Sequence, residues 1–293
     1  MSTDDRSPPD GGRTGRSGRL VLVATPIGNL GDLSPRAVEA LAAATCVVCE
    51  DTRRTGRLLV HAGIRGTRLL VANEHREAAC AAEVGRLLAQ GATIAVVTDA
   101  GTPGISDPGE RLVAAAIAGG HDVSIVPGPA AAVAALVISG LPTERFVMEG
   151  FLPRRGRERS DRIAAVAVER RTVVLYEAPH RLARTLADLA ATCGHGRPVS
   201  ISRELTKLHE ETWRGSLGDA VARAAERDPI GEHVIVLAGA PDEEPASDDT
   251  IEAFGRDALA RGLSPRDAAS EVATAFAIPR RRAYDLVQRA RRP

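Results

Sequence analysis

The stretch TIAVVTDAGTPGISDPG, residues 93–109, runs from an apolar segment through a loop of glycine and proline to a helix start. TIAVVTD is short and rich in β-branched side chains, the pattern of a strand buried on both faces. Gly101 and Gly104 permit close backbone approach, and Pro103 stiffens the loop between them. A strand, a glycine loop and a helix in that order place a ligand at the carboxyl end of a strand in an open parallel sheet. The loop carries no Lys or Arg and matches neither the GxxxxGK(S/T) nor the GxGxxG pattern. It therefore points away from a triphosphate or dinucleotide, toward a ligand held through backbone groups. Two residues keep a second reading. Asp107 serves equally as the N-cap of the next helix, with Pro108 at N1 and Glu110 at N3, and Asp99 as a turn former.

The same alternation extends to both sides of the loop. RLVLVAT (from Arg19), CVVCE and RLLVAN read as strands before it, and DVSIVPG as one after it. Helices are expected over residues 35–44, near 55–61, over 74–90 and 108–119, and from about Ala130. Ser34 followed by Pro35 is an N-cap and N1 pair. This defines a first α/β domain over residues 19–142. A second α/β domain, residues 143–240, contains FVMEGFL, TVVLYEA, PVSISREL, WRGSL and HVIVLAG. Its strands are less regularly separated by helices, so its sheet is expected to be mixed. Residues 241–249 form an acidic linker. Residues 250–293 form three short helices, the last two joined tightly enough for a helix-turn-helix or a small bundle. Residues 1–18, rich in Gly, Pro, Ser and charge, read as a disordered tail.

Composition bounds the function. The chain has 293 residues, 44% hydrophobic, 26% charged, with a formal net charge of +0, so any affinity for nucleic acid must come from local patches. No apolar run approaches the ~18 residues of a membrane span, and the N-terminus lacks a secretory h-region. Cys46 and Cys49 form a CxxC inside an apolar strand without a second such pair, which argues against zinc. Cysteine usage fits a cytoplasmic protein.

With ATPIGNLGDLSPRA (24–37), CEDTRRTGRLL (49–59), NEHRE (73–77), GLPTERFVMEGFLPR (140–154), LYEAPHR (175–181) and SRELTKLHEE (202–211), the loop resembles a known family. These segments, in this order from about Arg19 to Gly239, are similar to the bacterial 16S ribosomal RNA cytidine 2'-O-methyltransferases of the tetrapyrrole methylase superfamily. The resemblance implies two α/β domains with S-adenosylmethionine in the cleft between them, a homodimer, and cytidine 1402 of 16S rRNA within the 30S subunit as target. It gives a cofactor role to Asp99, Gly101, Thr102, Gly104, Ile105 and Ser106. PGPAA places Ala130 and Ala131 near the adenosine, by backbone, since the superfamily's hydroxyls are missing. The second-domain strand end matches Tyr176, Glu177 and Ala178. The N-terminal GPG loop of the tetrapyrrole enzymes is here PIGNLGD, with Pro26 and Gly28 at the cofactor; that departure counts against a porphyrin-like substrate.

Methyl transfer to a ribose 2'-hydroxyl needs alignment and is helped by a general base. The candidates are Lys207, Glu204, His180 and Glu74. Lys207 is the only lysine of the chain, and an amine, unlike a guanidinium, is able to accept a proton. Lys207 with Glu204 is the pair assigned to the chemistry. No metal is required, and His75 and His180 sit in separate motifs. Arg53, Arg54 and Arg57, steadied by Glu50 and Asp51, read as RNA phosphate contacts. Residues 151–171, with seven Arg against three acids, contribute Arg154 and Arg155. Residues 279–293, with six Arg and one Asp, contribute Arg280, Arg281 and Arg282. With 2% aromatic residues, shape and charge rather than base stacking are expected to carry RNA recognition. Two other readings are a superfamily methylase acting on a tetrapyrrole or a protein, and a helix-turn-helix regulator whose α/β body senses a ligand.

Overall fold

The computed structural model describes residues 17–72, 77–107, 109–226, 229–241 and 246–291. Glu74, His75, Pro108, Arg292 and most of the N-terminal tail lie outside the described residues. The chain divides into two units, Met1–Ala240 and Pro241–Pro293.

The first unit opens with a five-stranded sheet. Its strands are β1 (Arg19–Val23), β2 (Cys46–Cys49), β3 (Arg68–Val71), β4 (Thr93–Val96) and β5 (Asp122–Val126), in the order β3-β2-β4-β1-β5. Every pairing is parallel. Helices α1 (Pro35–Ala43), α2 (Thr52–His61), α3 (Glu77–Ala89) and α4 (Glu110–Ala118) make the crossovers. Covered on both sides, β2 is buried at all four positions. The pleat turns Cys46 into the core formed with Leu88 and Leu112, and Cys49 into the opposite core with Leu41 and Leu59. The two thiols of the CxxC therefore lie on opposite faces of the sheet.

The strand order creates a switch point. From β1 the chain crosses to β2 on one side; from β4, its neighbour, it crosses to β5 on the other. A crevice opens between the two departing loops at the carboxyl edge, where open α/β sheets bind ligands.

Helix α5 (Ala131–Ile138) leads to a second sheet of β6 (Phe146–Phe151), β7 (Thr172–Glu177), β8 (Pro198–Arg203), β9 (Glu211–Ser216) and β10 (His233–Leu237), in the order β6-β7-β10-β8-β9. The β6–β7 pair is parallel and the other three pairs are antiparallel, so the sheet is mixed. Helices α6 (Arg157–Val168), α7 (Pro179–Cys193) and α8 (Leu217–Glu226) belong to this half. One face of the sheet builds a core with them through Leu175, Leu186, Ile235 and Leu237. The other face packs Val174, Val234 and Val236 against Ala132, Ala135 and Leu136 of α5. Helix α5 thus gives its buried side to the second sheet.

The second unit is a three-helix bundle: α9 (Asp248–Ala260), α10 (Pro265–Ala275) and α11 (Arg280–Ala290). Ser264 caps α10 by accepting from the Asp267 amide. The core joins Ile251, Val272, Leu286 and Val287, and a Cβ at Gly255 would stand 3.1 Å from Val287 Cγ2, a sign of close helix packing.

Helix α4 departs from the sequence expectation. It begins at Glu110 with Gly109, not Asp107, as its N-cap, and no side chain caps it. Gly109 has φ 146°, and a Cβ there would meet the Gly104 amide nitrogen at 3.1 Å. The loop doubles back on itself, which removes Asp107 from the capping position.

Leu136→Ala empties a buried contact between α5 and the second sheet. It should cost about 2–5 kcal/mol in chemical denaturation of the full chain, the usual range for a buried leucine.

Candidate methyl-donor cleft

Two backbone hydrogen bonds tie the loops after β1 and β4 together. Thr25 N donates to Gly101 O at 2.9 Å, and Gly101 N to Thr25 O at 3.1 Å. Buried Thr25 also donates through Oγ1 to Thr98 O at 3.2 Å. Thr102 Oγ1 donates to Pro129 O at 3.1 Å, joining the loop to the segment that enters α5. Gly101 and Gly104 both have φ 85°, a conformation open to glycine, and Ser106 holds φ 60° with a side chain. The backbone turns sharply at these three positions, and the two glycines take the left-handed conformation without a side chain to oppose it.

The second half supplies the other wall. Tyr176 Oη accepts the Ala132 amide at 3.2 Å, satisfying one of the open donors at the start of α5, where Ala130 offers no capping side chain. Asn29 N donates to Thr206 Oγ1 at 3.1 Å. A Cβ at Gly28 would fall 2.3 Å from Lys207 Cγ, so the β1 loop and the loop of residues 204–210 are in direct contact. Backbone strain collects here. Of four non-glycine residues with positive φ among the described residues, three border this cleft: Ser106, Glu204 (φ 50°) and Thr206 (φ 65°).

Carboxylates dominate the electrostatics. Asp99 pairs through Oδ2 with Arg54 Nε at 3.3 Å, while its Oδ1 is buried without a hydrogen-bond partner. Burial first, then the charge of Asp99, raises the Glu50 carboxyl above its ordinary range. Burial, then Glu50, Asp99 and Glu232, pushes Asp107 up to about 6. An orphaned carboxylate oxygen and several acids with little cationic compensation suit a positively charged ligand. S-adenosylmethionine carries a sulfonium and an ammonium, and the residues present fit it.

Other candidates fall in different places. Pro26 is buried beneath the crevice, and Ile105 and Ser106 stand exposed at its rim. Glu177 does not offer its side chain to the cleft. The carboxylate accepts from Thr185 Oγ1 at 2.6 Å and from the Ala178 amide at 2.9 Å, and pairs with Arg181 at 3.2 Å, fastening the first turns of α7. Lys207 Nζ donates to Glu204 at 2.9 Å, and that bond holds the Glu204 carboxyl below its usual range. His180 is exposed on α7. Among the described residues no three His, Cys, Asp or Glu side chains are placed to hold a metal.

The basic runs are less basic than their sequences. Arg159 is buried against Asp188 at 2.7 Å, Arg162 pairs with Glu149 and Arg171 with Glu169. This leaves exposed Arg154 and Arg155 without an ion pair among the described residues. Arg54 turns to Asp99, whereas Arg53, held by Asp51, and Arg57 remain exposed. In the second unit Arg282 is tied to Asp248 at 2.9 Å, and Arg280 and Arg281 are exposed. Sequence reading missed Asp107 as a titrating group and Tyr176 as a cap on α5, because the first arises from burial beside Glu50 and Asp99 at other strand ends and the second from a contact with the other sheet.

A parallel sheet with a lysine-free glycine loop at its switch point, joined through one helix to a mixed sheet, defines a methylase of the tetrapyrrole type. The sequence pattern of the Tetrapyrrole (Corrin/Porphyrin) Methylases matches residues 19–221. The chain is 46% identical to the ribosomal RNA small subunit methyltransferase I of Synechocystis, covering 92% of this chain and 97% of the relative. It is 47% identical to the protein of that name from Mycobacterium tuberculosis strain CDC 1551, covering 94% and 96%. The methyltransferase CobJ superposes with a TM-score of 0.60 at 23% identity, covering 78% of this chain and 97% of that one. A diphthine synthase does so with a TM-score of 0.59 at 16% identity, covering 76% and 90%. These two show the fold alone. The chain belongs to the ribosomal RNA small subunit methyltransferase I family of the tetrapyrrole methylases, whose methyl donor is S-adenosylmethionine. No helix among the described residues is long and apolar enough to cross a membrane.

Because Asp107 is more easily protonated in the folded chain than its ordinary value of 3.8 allows, its charge costs stability above about pH 6 and nothing below about pH 4. Asp107→Asn should therefore raise Tm at pH 8, with the gain vanishing near pH 4. Thermal melts of both proteins across that range check it.

Proposed function

We propose that this chain transfers the methyl group of S-adenosylmethionine to the 2'-hydroxyl of a cytidine in 16S rRNA of the small subunit, cytidine 1402, acting in the cytoplasm. The observation that carries the reading is the crevice at the switch point: backbone polar groups of Gly101 to Gly104, no lysine or arginine in the loop, and the orphaned Asp99 Oδ1. The names of the relatives support RNA of the small subunit as the substrate. When bound, the cofactor supplies an electrophilic methyl group on a good leaving group, so the protein's task is alignment.

In this reading Pro26, Gly28, Asp99, Gly101, Thr102, Gly104, Ile105, Ser106 and Ala178 surround the donor. Ala130 and Ala131 meet it by backbone, and Tyr176 braces the start of α5. Lys207 orients the 2'-hydroxyl. Its amine donates to Glu204 at 2.9 Å, so it is held in place as a hydrogen-bond donor. Asp107, with a pKa of about 6, is better matched to accepting a proton near neutral pH than Glu204. Exposed Arg53, Arg57, Arg154 and Arg155, and Arg280 and Arg281 of the second unit, hold RNA phosphates. Arg54 and Arg282, each tied to a carboxylate, have the smaller share.

A homodimer is part of the proposal. Helix α5 contains no polar residue, yet Val133 and Val137 on it are 51% and 66% exposed. An all-apolar helix is ordinarily buried all round, so a second copy is the natural cover.

Lys207→Ala should slow single-turnover transfer of labelled methyl to 30S subunits about 100-fold or more, with donor affinity unchanged. Transfer at the wild-type rate would end the assignment. Mass mapping of 16S rRNA with and without this protein checks the nucleotide: a methyl group gained on the ribose of cytidine 1402 is the expected result.

A further inference from the structure

The second sheet holds a cavity on its other face, away from α5. It has a volume of about 340 Å³ and lies under α7 and α8, against β8, β9 and β10. Strand register builds its wall. His233 of β10 stands opposite Arg203 of β8, which stands opposite Glu211 of β9, giving one polar row across three strands. Two residues further along each strand, on the same face, Ile201 stands opposite Trp213. Leu182, Leu186 and Ala220 from the helices complete an apolar interior.

Three observations point to a ligand. First, His233 is 4% exposed; the Gly231 backbone acts on its imidazole, but its Nδ1 is buried with no partner at hydrogen-bond distance and angle. Such a group ordinarily finds one. Second, two guanidiniums share one carboxylate: Arg203 Nε donates to Glu211 at 2.8 Å, and Arg223 pairs with the other oxygen of Glu211. Among the described lining residues, two guanidiniums face one carboxylate. Third, the guanidinium carbon of Arg223 lies over the Trp213 ring, 5.9 Å from its centre, so an aromatic ring and an anion-pairing guanidinium form one stacked unit at the wall. The volume is near the lower end of the ~300–1,000 Å³ usual for small-molecule pockets, enough for one flat ring with a compact acidic group.

We propose that this cavity binds a nucleotide unit, its base against Trp213 with its edge at His233 and its phosphate at Arg223 and Arg203, separately from the methyl-donor cleft. Arg203 and Glu211 are also the two feet of the loop that carries Glu204, Thr206 and Lys207. A nucleotide here pulls on the base of that loop. The unit is either a free nucleoside monophosphate or one residue of an RNA strand lying beside the cleft.

Trp213 is the only tryptophan of the chain, so its fluorescence reports on the cavity. The full chain, saturated with S-adenosylhomocysteine to occupy the donor cleft, is titrated with cytidine 5'-monophosphate, adenosine 5'-monophosphate and a short single-stranded RNA. Saturable quenching is expected. Arg223→Gln should raise Kd at least tenfold while the protein still melts cooperatively, as should His233→Phe if it folds; cytidine and inorganic phosphate should each bind at least tenfold more weakly than the nucleotide. Tighter quenching by the oligonucleotide than by either monophosphate assigns the unit to a strand, and the reverse assigns it to a free nucleotide. Absence of saturable quenching by all three, or quenching unchanged in Arg223→Gln, overturns the proposal. Calorimetric binding of S-adenosylhomocysteine alone tests the donor cleft independently.

Discussion

The site hangs on the pair of backbone hydrogen bonds between Thr25 and Gly101. They join the loops leaving two neighbouring parallel strands at the point where the chain departs in opposite directions. Without them, the loop after β4 would have no fixed height above the sheet edge. With them, Gly101 is held in a conformation that a side chain would resist, Thr102 reaches the Pro129 carbonyl, and the entry to α5 is set. Helix α5 then carries the second sheet. One short bridge therefore positions both walls of the cleft.

The electrostatic design follows from that geometry. Bringing the ends of β2 and β4 together places Glu50 and Asp99 side by side, and the doubled loop adds Asp107. Arg54 answers one oxygen of Asp99 and leaves the other unsatisfied. A carboxylate buried in this way costs stability until a cation or donor arrives. The unpartnered Asp99 oxygen is thus a polar atom that a donor or cation would satisfy.

Much of this was legible in the sequence because it is local. Buried parallel strands announce themselves as unbroken apolar runs, and Ser34-Pro35 and Ser264-Pro265 as helix starts. The loop after β4 was legible as a glycine turn without Lys or Arg, and its glycines take positive φ. What failed was non-local. The basic run of residues 151–171 loses Arg159 to Asp188 and Arg162 to Glu149, partners from other elements. Glu177, matched by resemblance to a strand-end cofactor contact, turns its carboxylate to Thr185 and Arg181 of α7, partners the strand's own sequence does not show. Asp107 looked like a cap because Asp-Pro-Gly-Glu is a good helix start; the approach of Gly109 to Gly104 overrides that local preference. The cavity at Trp213 escaped sequence reading altogether, since its polar row comes from three strands that only the register brings abreast.

The contact between Gly28 and Lys207 binds two distant positions into one unit of descent. The lysine stem occupies the space that any side chain at position 28 would need, its Cγ only 2.3 Å from where a Cβ would begin. A lineage replacing the glycine must at the same time shorten or redirect the lysine. Elsewhere in this chain arginine has taken every other basic position. Here the two positions are coupled by space: a side chain at one requires a change at the other.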